Sequence, residues 1–441
     1  MRSNLRGIEW PAIPDPPSAQ LLALAWQLDQ TQWWSAERLR AHQERQLRVL
    51  LQHAVTAPHY ADRFAGLALD RIELSAIPVL SRDVLIAAGD RMLSRSYPAH
   101  HGTVNEVTTS RTTGAPVKVR NTEVVSLFWK AITLRDHAWH RRDLEAKLAT
   151  IRYTAGEAKP PDGARSTCWG PATAALAPEA PLVRLSVEST TDEQIAWLLR
   201  EDPTYLIVYP TVFEAIARRL AVGANKLPAL REVRTVSEAL SAETRTLCRD
   251  VLGVPLVDMY SAQEVGYIAL QCPLHPHYHV QAESVLVEVV GDDGAPCRAG
   301  DTGRVLLTDL HNFATPLIRY DIGDYAEVGA PCPCGRGLPT LTKIVGRRRG
   351  MLRYADGRTV WPVFTVACRT AARYREIQLV QESLERLKLR VVAEGTLDPA
   401  APAALIAALR DALGPFEIAV EVVEQLGRSP AGKLEEFVSL V

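Results

Sequence analysis

Between residues 204 and 266 the sequence alternates short apolar runs with helical patterns, and this alternation constrains the fold more than any other feature. The apolar runs are Y-L-I-V-Y-P at 205–210, V-R-T-V at 233–236 and P-L-V-D-M-Y at 255–260. The stretches between them, 211–222 and 241–252, have helical periodicity. A β-α-β-α-β order predicts a parallel sheet with right-handed crossovers, so the chain is predicted to be an α/β protein.

The pattern divides the chain into a large and a small domain, 1–346 and 347–441. After Gly266, residues 279–290 and 303–310 alternate like antiparallel strands, which predicts a β-structured subdomain over about 267–346. Beyond the glycines of 346–350, strand and helix patterns recur and predict a small α+β unit. These patterns lie at 377–380, 387–393, 402–413 and 417–423.

Ligands of open parallel sheets bind beyond the carboxyl ends of the strands, so the residues that follow each strand are candidate site residues. They are Tyr209–Pro210, Ser237–Ala239 and Tyr260–Gly266. In the last of these, Glu264 could hold Mg²⁺ on nucleotide phosphates, or could merely cap a following helix. Asp324, after the glycine turn of R-Y-D-I-G-D, could accept both ribose hydroxyl groups or belong to an ordinary β-turn.

Two loops carry the residues that suit phosphate binding. The first is T-T-S-R-T-T-G-A-P-V-K-V-R at 108–120, which we expect between a strand and a helix. Its glycine lets the backbone approach an anion, and its hydroxyl and N–H groups can donate, although a Ser/Thr-rich turn with a helix cap is the alternative. The second, L-G-R-S-P-A-G-K-L at 426–434, presents the Lys433 ammonium group either to a phosphate or carboxylate or to solvent.

Composition excludes several classes of function. A net charge of −1 argues against non-specific binding to nucleic acid, which requires a basic surface. No stretch approaches the roughly 20 apolar residues of a membrane span. The first residues, M-R-S-N-L-R-G-I-E-W, lack the apolar core of a secretory signal, so we expect a cytoplasmic protein. Seven cysteines, an odd number in a long chain, do not predict a disulfide scaffold.

Three cysteines and nearby histidines predict a structural zinc site. Cys272 opens C-P-L-H-P-H-Y-H, and Cys332 and Cys334 form C-P-C-G. Sulfur and imidazole nitrogen are the usual ligands of tetrahedral zinc. We expect His279 to be the fourth ligand because it opens the following strand, with His275 as the alternative. The C-x-C spacing is tighter than the common C-x-x-C, and free cysteines in loops would give the same pattern.

The order of these motifs resembles that of the adenylate-forming enzymes. The resemblance rests on T-S-R-T-T-G-A-P, S-E-A-L, Y-S-A-Q-E-V-G, R-Y-D-I-G-D, G-R-R-R-G and G-R-S-P-A-G-K, from about residue 50 to the last residue. The stretches 308–320 and 272–290 resemble the phenylacetate–CoA ligase branch, some members of which have a similar zinc cluster. The resemblance implies activation of a carboxylic acid, aromatic in this branch, by ATP and Mg²⁺. The acyl-adenylate, formed with release of pyrophosphate, is then transferred to CoA.

The resemblance also implies roles for individual residues. The loop around the ATP phosphates is matched by Thr109, Ser110, Thr112, Thr113 and Gly114, and the adenine pocket by Ser237, Glu238, Ala239, Tyr260 and Ser261. Asp324 would bind ribose with Arg347 beside it, and the family rotates its small C-terminal domain at the glycine hinge. The implied catalytic residues are Lys433, Glu264 and Thr113, and the implied acid pocket is formed by Trp129, Tyr209, Tyr260 and Gly266.

Departures from the family pattern leave alternatives open. The loop usually reads S-S-G-T-T-G-K-P, whereas this chain has Arg111 for the first glycine and Ala115 for the lysine. Either Arg111 or Lys118 could restore the charge, or phosphate binding could be weakened. The acceptor could therefore be an amine, another nitrogen nucleophile or a carrier-protein thiol instead of CoA, and relatives also suggest a possible homodimer. A degenerate nucleotide-binding homologue is the remaining alternative, although such a protein would not need Glu264, Asp324 and Lys433 together.

Overall fold

The computed structural model divides the chain into two compact units, Met1–Ile344 and Val345–Val441. Both contain helices and sheets, so the predicted α/β class is confirmed. The residues that the structure describes are 1, 3–108, 117–154, 156–223, 225–347, 350–362, 364–393, 395–427 and 434–441.

The helices begin where the sequence supplies caps. Thr190 forms a capping box with Glu193, and the Ser81 and Ser241 hydroxyl groups accept from the backbone N–H three residues on. In chain order the helices are α1 (Pro16–Thr31), α2 (Ala36–Ala54), α3 (Pro58–Arg63), α4 (Arg82–Ala88), α5 (Glu123–Trp139), α6 (Thr191–Glu201), α7 (Pro210–Val222), α8 (Ala242–Leu252), α9 (Thr365–Ala371) and α10 (Ala401–Leu413). Short 3₁₀ turns occur at Leu74–Ala76, Gly89–Met92 and Ala99–His101.

Most strands fall in the first unit. They are β1 (Val104–Thr108), β2 (Lys118–Thr122), β3 (Leu148–Arg152), β4 (Ala164–Ser166), β5 (Leu182–Ser186), β6 (Tyr205–Val208), β7 (Glu232–Thr235), β8 (Leu256–Ala262), β9 (Gly266–Gln271), β10 (Tyr278–Val280), β11 (Val285–Val290), β12 (Thr302–Asp309), β13 (Tyr320–Val328) and β14 (Thr340–Arg347). The remaining strands are β15 (Leu352–Arg353), β16 (Thr359–Val360), β17 (Tyr374–Gln381), β18 (Arg386–Ala393), β19 (Glu417–Val422) and β20 (Phe437–Ser439).

A 12-stranded sheet forms the core, in the order β11-β12-β13-β14-β10-β9-β8-β7-β6-β3-β5-β4. Strands β6, β7 and β8 are parallel, with α7 and α8 as the crossovers, as the alternation at 204–266 predicts. At β8 the strand pairing changes from parallel to antiparallel. Strand β9 pairs antiparallel with β8, and β10 pairs antiparallel with β9. The carboxyl ends of β6, β7 and β8 therefore lie side by side along one edge.

One alternative for Glu264 is excluded, and one strand was not predicted. The turn after β8 leads into the antiparallel strand β9, so Glu264 does not cap a helix there. The segment 118–122, expected to lead directly from the phosphate loop into a helix, forms the strand β2, which pairs antiparallel with β1 before α5 begins. The reason is visible in the side chains: Val117 and Val119 are buried while Lys118 and Arg120 are exposed, an alternation with the period of a strand.

The second unit contains a smaller sheet in the order β19-β18-β17-β20. Its core contains apolar side chains from α10 and from the two central strands, among them Leu405, Leu409, Leu379 and Leu389, all fully buried. This is the small α+β arrangement that the patterns between 377 and 423 predict.

Candidate nucleotide site and metal cluster

Glu264 lies in the turn between β8 and β9, at the carboxyl edge of the parallel half of the sheet. Its side chain is almost entirely buried, and its Oε1 atom lies 3.5 Å from Nη1 of Arg82. A buried carboxylate requires a compensating positive charge. Arg82 provides one, and a metal ion on a nucleotide would provide another.

Asp324 and Tyr260 meet at this edge although they are 64 residues apart in the chain. The Tyr260 hydroxyl group donates to Oδ2 of Asp324 at 2.8 Å, and both side chains are buried. Asp324 follows Gly323, which has a φ of +80°, a backbone conformation that glycine adopts without strain. The two residues that the sequence assigns to ribose and adenine therefore touch in the structure.

The segment Ser237–Ala239 follows β7 and is fixed to the neighbouring helix. Oε2 of Glu238 accepts from the backbone N–H of Thr211 at 3.1 Å and from its hydroxyl group at 2.9 Å. Ser237 has a φ of +74°, which is uncommon for a residue with a side chain and occurs often at functional sites. Glu238 thus holds the loop against α7, at the edge where its adenine-lining role was expected.

Aromatic rings line the predicted acid pocket at the start of β9. The Trp129 ring of α5 packs at 4.8 Å on the ring of Tyr267, and it is 39% exposed. A Cβ atom on Gly266 would lie 3.3 Å from Trp129, so a larger residue would press on the ring. Tyr267 is a member of this wall that the sequence motifs did not indicate. Tyr209 is buried, and its hydroxyl group accepts from the N–H of Tyr153 at 3.4 Å.

The predicted phosphate-loop residues, Thr109, Ser110, Thr112, Thr113 and Gly114, lie outside the described residues, as does Lys433. Arg347 is the last residue of β14. The strands that flank the loop are described, and they contact the segment 308–320. Oγ1 of Thr315 accepts from the N–H of Arg120 at 2.9 Å, and Asn312 donates to Asn121 at 2.8 Å. The motif 308–320 is therefore packed against the strand that leaves the phosphate loop.

Three of the four predicted zinc ligands converge, together with His277, whereas Cys334 is not part of this group. One ligand atom from each of Cys272, His277, His279 and Cys332 lies within 4.8 Å of the others. The sulfur atoms of Cys272 and Cys332 are 3.9 Å apart, and Nε2 of His279 is 3.4 Å from the sulfur of Cys334. A zinc tetrahedron has a sulfur–sulfur edge of about 3.8 Å and a sulfur–nitrogen edge of about 3.6 Å, so each of the two distances is close to such an edge.

The polar atoms of this cluster also fit a metal. Within the described part of the chain, Nε2 of His277 is buried and has no hydrogen-bond partner. Burial, together with the neighbouring His277, lowers the pKa of His279 to about 3, which keeps the imidazole neutral, as a metal ligand must be. Arg336 donates to the sulfur of Cys334 at 3.5 Å. His277, which sequence reasoning did not consider, joins the group, and His275 stacks beside it with ring centroids 5.4 Å apart.

The fold is that of the adenylate-forming ligases. The structure of 2-hydroxyisobutyryl-CoA ligase in complex with 2-HIB-AMP aligns with a TM-score of 0.69 at 18% identity, over 92% of this chain and 90% of that chain. Anthranilate CoA ligase in complex with anthranoyl-AMP aligns with a TM-score of 0.55 at 19% identity, over 75% of this chain and 64% of that one. At these identities the likeness establishes the fold.

In sequence, the chain is similar to the phenylacetate-coenzyme A ligase of Thermus thermophilus, with 27% identity over 218 residues. The match covers 48% of this chain and 47% of that protein, so it spans about half the length of the curated relative. No family model matches the chain. The resemblance that the order of motifs predicts is confirmed by these comparisons. Among the described helices, none combines the length and apolarity needed to cross a bilayer.

Proposed function

We propose that this protein is an ATP-dependent acid–thiol ligase that activates a carboxylic acid as its acyl-adenylate and transfers the acyl group to CoA. The observation that carries the proposal is the hydrogen bond between Tyr260 of β8 and Asp324, together with the buried Glu264 in the turn that follows β8. These are the residues that the motif order assigns to magnesium, adenine and ribose. The two named structures with this fold hold acyl-adenylates, and another structure of 2-hydroxyisobutyryl-CoA ligase holds both 2-HIB-AMP and CoA.

The proposed chemistry has two displacements. A carboxylate oxygen of the acid attacks the α-phosphorus of ATP, the bond to the β-phosphate oxygen breaks, and pyrophosphate leaves with its electron pair. The CoA sulfur, as thiolate, then attacks the acyl carbonyl carbon and AMP leaves. Lys433 is assigned to offset the negative charge on the carboxylate and α-phosphate, as the motif match implies. Glu264, an oxygen donor fixed in a turn, suits Mg²⁺, which would neutralise phosphate charge when bound.

We assign an aromatic acid as substrate. The support is the ring wall of Trp129 and Tyr267, against which a planar ring can stack with an offset or edge-to-face geometry. Gly266 leaves space beside Trp129 that a side chain would fill. Two of the named relatives act, by their names, on aromatic acids, phenylacetate and anthranilate, whereas the 2-hydroxyisobutyryl enzyme carries a small aliphatic acyl group.

We also assign a structural zinc ion to the Cys/His cluster. The proposed ligands are Cys272, Cys332, Cys334 and His279, because the two close distances in that set match the edges of a tetrahedron. His277 is the alternative to Cys334, because it lies in the same group as Cys272, Cys332 and His279.

The phosphate loop departs from the family pattern at Arg111 and Ala115, and this departure leaves the identity of the acyl acceptor to be tested. The test is to supply ATP, Mg²⁺ and a panel of aryl acids, and to follow pyrophosphate release and loss of the free CoA thiol in parallel. We expect both signals in equal amounts with one or more aryl acids. Pyrophosphate release that leaves the CoA thiol intact would refute CoA transfer and favour an amine or carrier-protein acceptor.

A further inference from the structure

The phosphate loop of this chain has Ala115 where the related motif has a lysine, and its own arginine, Arg111, lies outside the described residues. Lys118 and Arg120 on β2 are the nearest cations along the described sequence. Their side chains are 66% and 46% exposed, and both contact the carboxylate of Glu106 on β1, at 3.7 and 3.5 Å. Both side chains therefore already form ion pairs with Glu106 on the exposed side of the hairpin.

Arg82 offers a guanidinium group at the nucleotide edge instead. It is the first residue of α4, and its Nη1 atom lies 3.5 Å from Oε1 of Glu264, the candidate magnesium ligand. Only 15% of the Arg82 side chain and 9% of the Glu264 side chain are exposed. The pair links elements 182 residues apart, so it arises from the fold and not from a local sequence motif.

The segment that presents Arg82 is firmly attached to β13, the strand that carries Asp324. Leu80 donates its N–H to the carbonyl oxygen of Arg319 at 3.0 Å and accepts from the N–H of Asp321 at 2.9 Å. The guanidinium group of Arg319 donates to the carbonyl oxygens of Ser75 and Ile77 at 2.9 and 2.6 Å. Ser81 then caps α4, which begins at Arg82. The backbone of Arg82 is therefore held beside the strand that carries Asp324.

We propose that Arg82 binds the β- and γ-phosphates of ATP in place of the missing loop lysine, an inference that rests on the proposed function. Without nucleotide, Arg82 neutralises the buried Glu264 carboxylate. A magnesium ion held by Glu264 would compensate the charge of that carboxylate, and in the proposed complex the guanidinium group of Arg82 donates to the phosphate oxygens. Its planar set of N–H donors matches two oxygens of a phosphate group, an arrangement that a lysine cannot make.

The test compares nucleotides that do and do not carry the two outer phosphates. Calorimetric titrations would measure the Kd of a non-hydrolysable ATP analogue with Mg²⁺, and separately of AMP, for the wild type and for Arg82→Ala. We expect the alanine variant to bind the ATP analogue about 10- to 100-fold more weakly, as for loss of a hydrogen bond to a charged group. AMP affinity should change by less than about twofold, because AMP lacks the outer phosphates.

Two further variants make the result decisive. Arg82→Lys keeps the positive charge and should recover part of the affinity for the ATP analogue. Arg91→Ala removes an arginine that pairs with Asp62 on the surface of the same region, and it should leave both affinities unchanged. An Arg82→Ala variant with wild-type affinity for the ATP analogue would overturn the inference. So would equal losses for AMP and the ATP analogue in both Arg82 variants, because Arg82 would then only support the fold.

Failure of the proposed function gives a different pattern. A wild-type protein that binds the ATP analogue but activates no acid would count against the ligase, while the ratio of the two affinities still decides the role of Arg82. A wild-type protein that binds neither nucleotide would overturn both.

Discussion

Asp309, the last residue of β12, has an environment that disfavours its charge. The side chain is 2% exposed, and its Oδ1 atom accepts from the N–H of His311 at 3.1 Å. Its Oδ2 atom is buried and has no hydrogen-bond partner among the described residues. Burial outweighs the donated backbone hydrogen bonds and raises the pKa of Asp309 to about 7 from an ordinary 3.8.

This pKa predicts how Asp309 alters stability with pH. Between about pH 4 and pH 7 the folded state holds a proton on Asp309 that the unfolded state has released, so the contribution of this residue to stability falls as pH rises. The substitution Asp309→Asn places an uncharged amide at this position and removes that dependence of stability on pH. The free energy of unfolding of the variant should therefore rise relative to the wild type across this range and level off above pH 7, by up to about 4 kcal/mol.

Urea unfolding of the two proteins at a series of pH values measures this difference. Asp70→Asn, at an exposed position, is the matched control and should run parallel to the wild type. The new amide can also change the free energy of unfolding through its packing, but that change is the same at every pH and does not alter the shape of the pH dependence. A difference between Asp309→Asn and wild type that stays constant from pH 4.5 to pH 8 would contradict the assigned environment.

Single residues were predictable from the sequence where a motif named them. Glu264 and Asp324 were named in this way, and in the structure both side chains are buried, with Asp324 accepting a hydrogen bond from Tyr260. Arg82 and Tyr267 were missed. Arg82 acts through a partner 182 residues away, and no local pattern reports such a contact. Tyr267 sits in a buried strand, where an aromatic residue is unremarkable until its neighbour Trp129 is known.

At the level of elements, the hairpin formed by β1 and β2 shows what the sequence contained but reasoning overlooked. The alternation of buried valines and exposed charged residues at 117–120 has the period of a strand. The strand β2 was not predicted, although the helix expected after it is present as α5. The pairing of Thr108 with Lys118 brings together the two ends of the segment 109–117, which carries the phosphate-loop motif.

The metal cluster is the element-level feature with the sharpest test. Because three sulfur ligands and one imidazole suit zinc, purified protein should contain about one zinc ion per chain. Cys272→Ser and Cys334→Ser should each lose most of the metal and unfold at a lower temperature. His277→Ala should keep it, because His277 is outside the proposed set. Zinc content by atomic emission and thermal unfolding measure both effects.

Cys297→Ser is the control for the cysteine variants, because Cys297 is partly buried and lies outside the cluster. It should retain zinc. If His277→Ala loses zinc and Cys334→Ser retains it, the fourth ligand is His277 and not Cys334. Full zinc content and wild-type stability in Cys272→Ser would refute the site.

At the scale of the whole molecule, the sequence predicted the kinds of element better than their arrangement. The parallel run β6–β8 followed from the alternation of patterns, because crossover chirality and short connections leave few topologies. The order of the remaining strands did not follow, since β13 reaches its place beside β12 and β14 through pairings that no periodicity encodes. The contact of Tyr260 with Asp324 depends on that order.

The measurement that tests the central claim most directly is exchange of radiolabelled pyrophosphate into ATP, screened over aryl, fatty and amino acids. The reaction requires only the first displacement, so it is independent of the acceptor. We predict acid-dependent exchange with one or more aryl acids, and a loss of at least about 100-fold in Lys433→Ala, as for removal of a charge that stabilises the transition state. Absence of exchange with every acid, in protein that still binds ATP, would contradict the account.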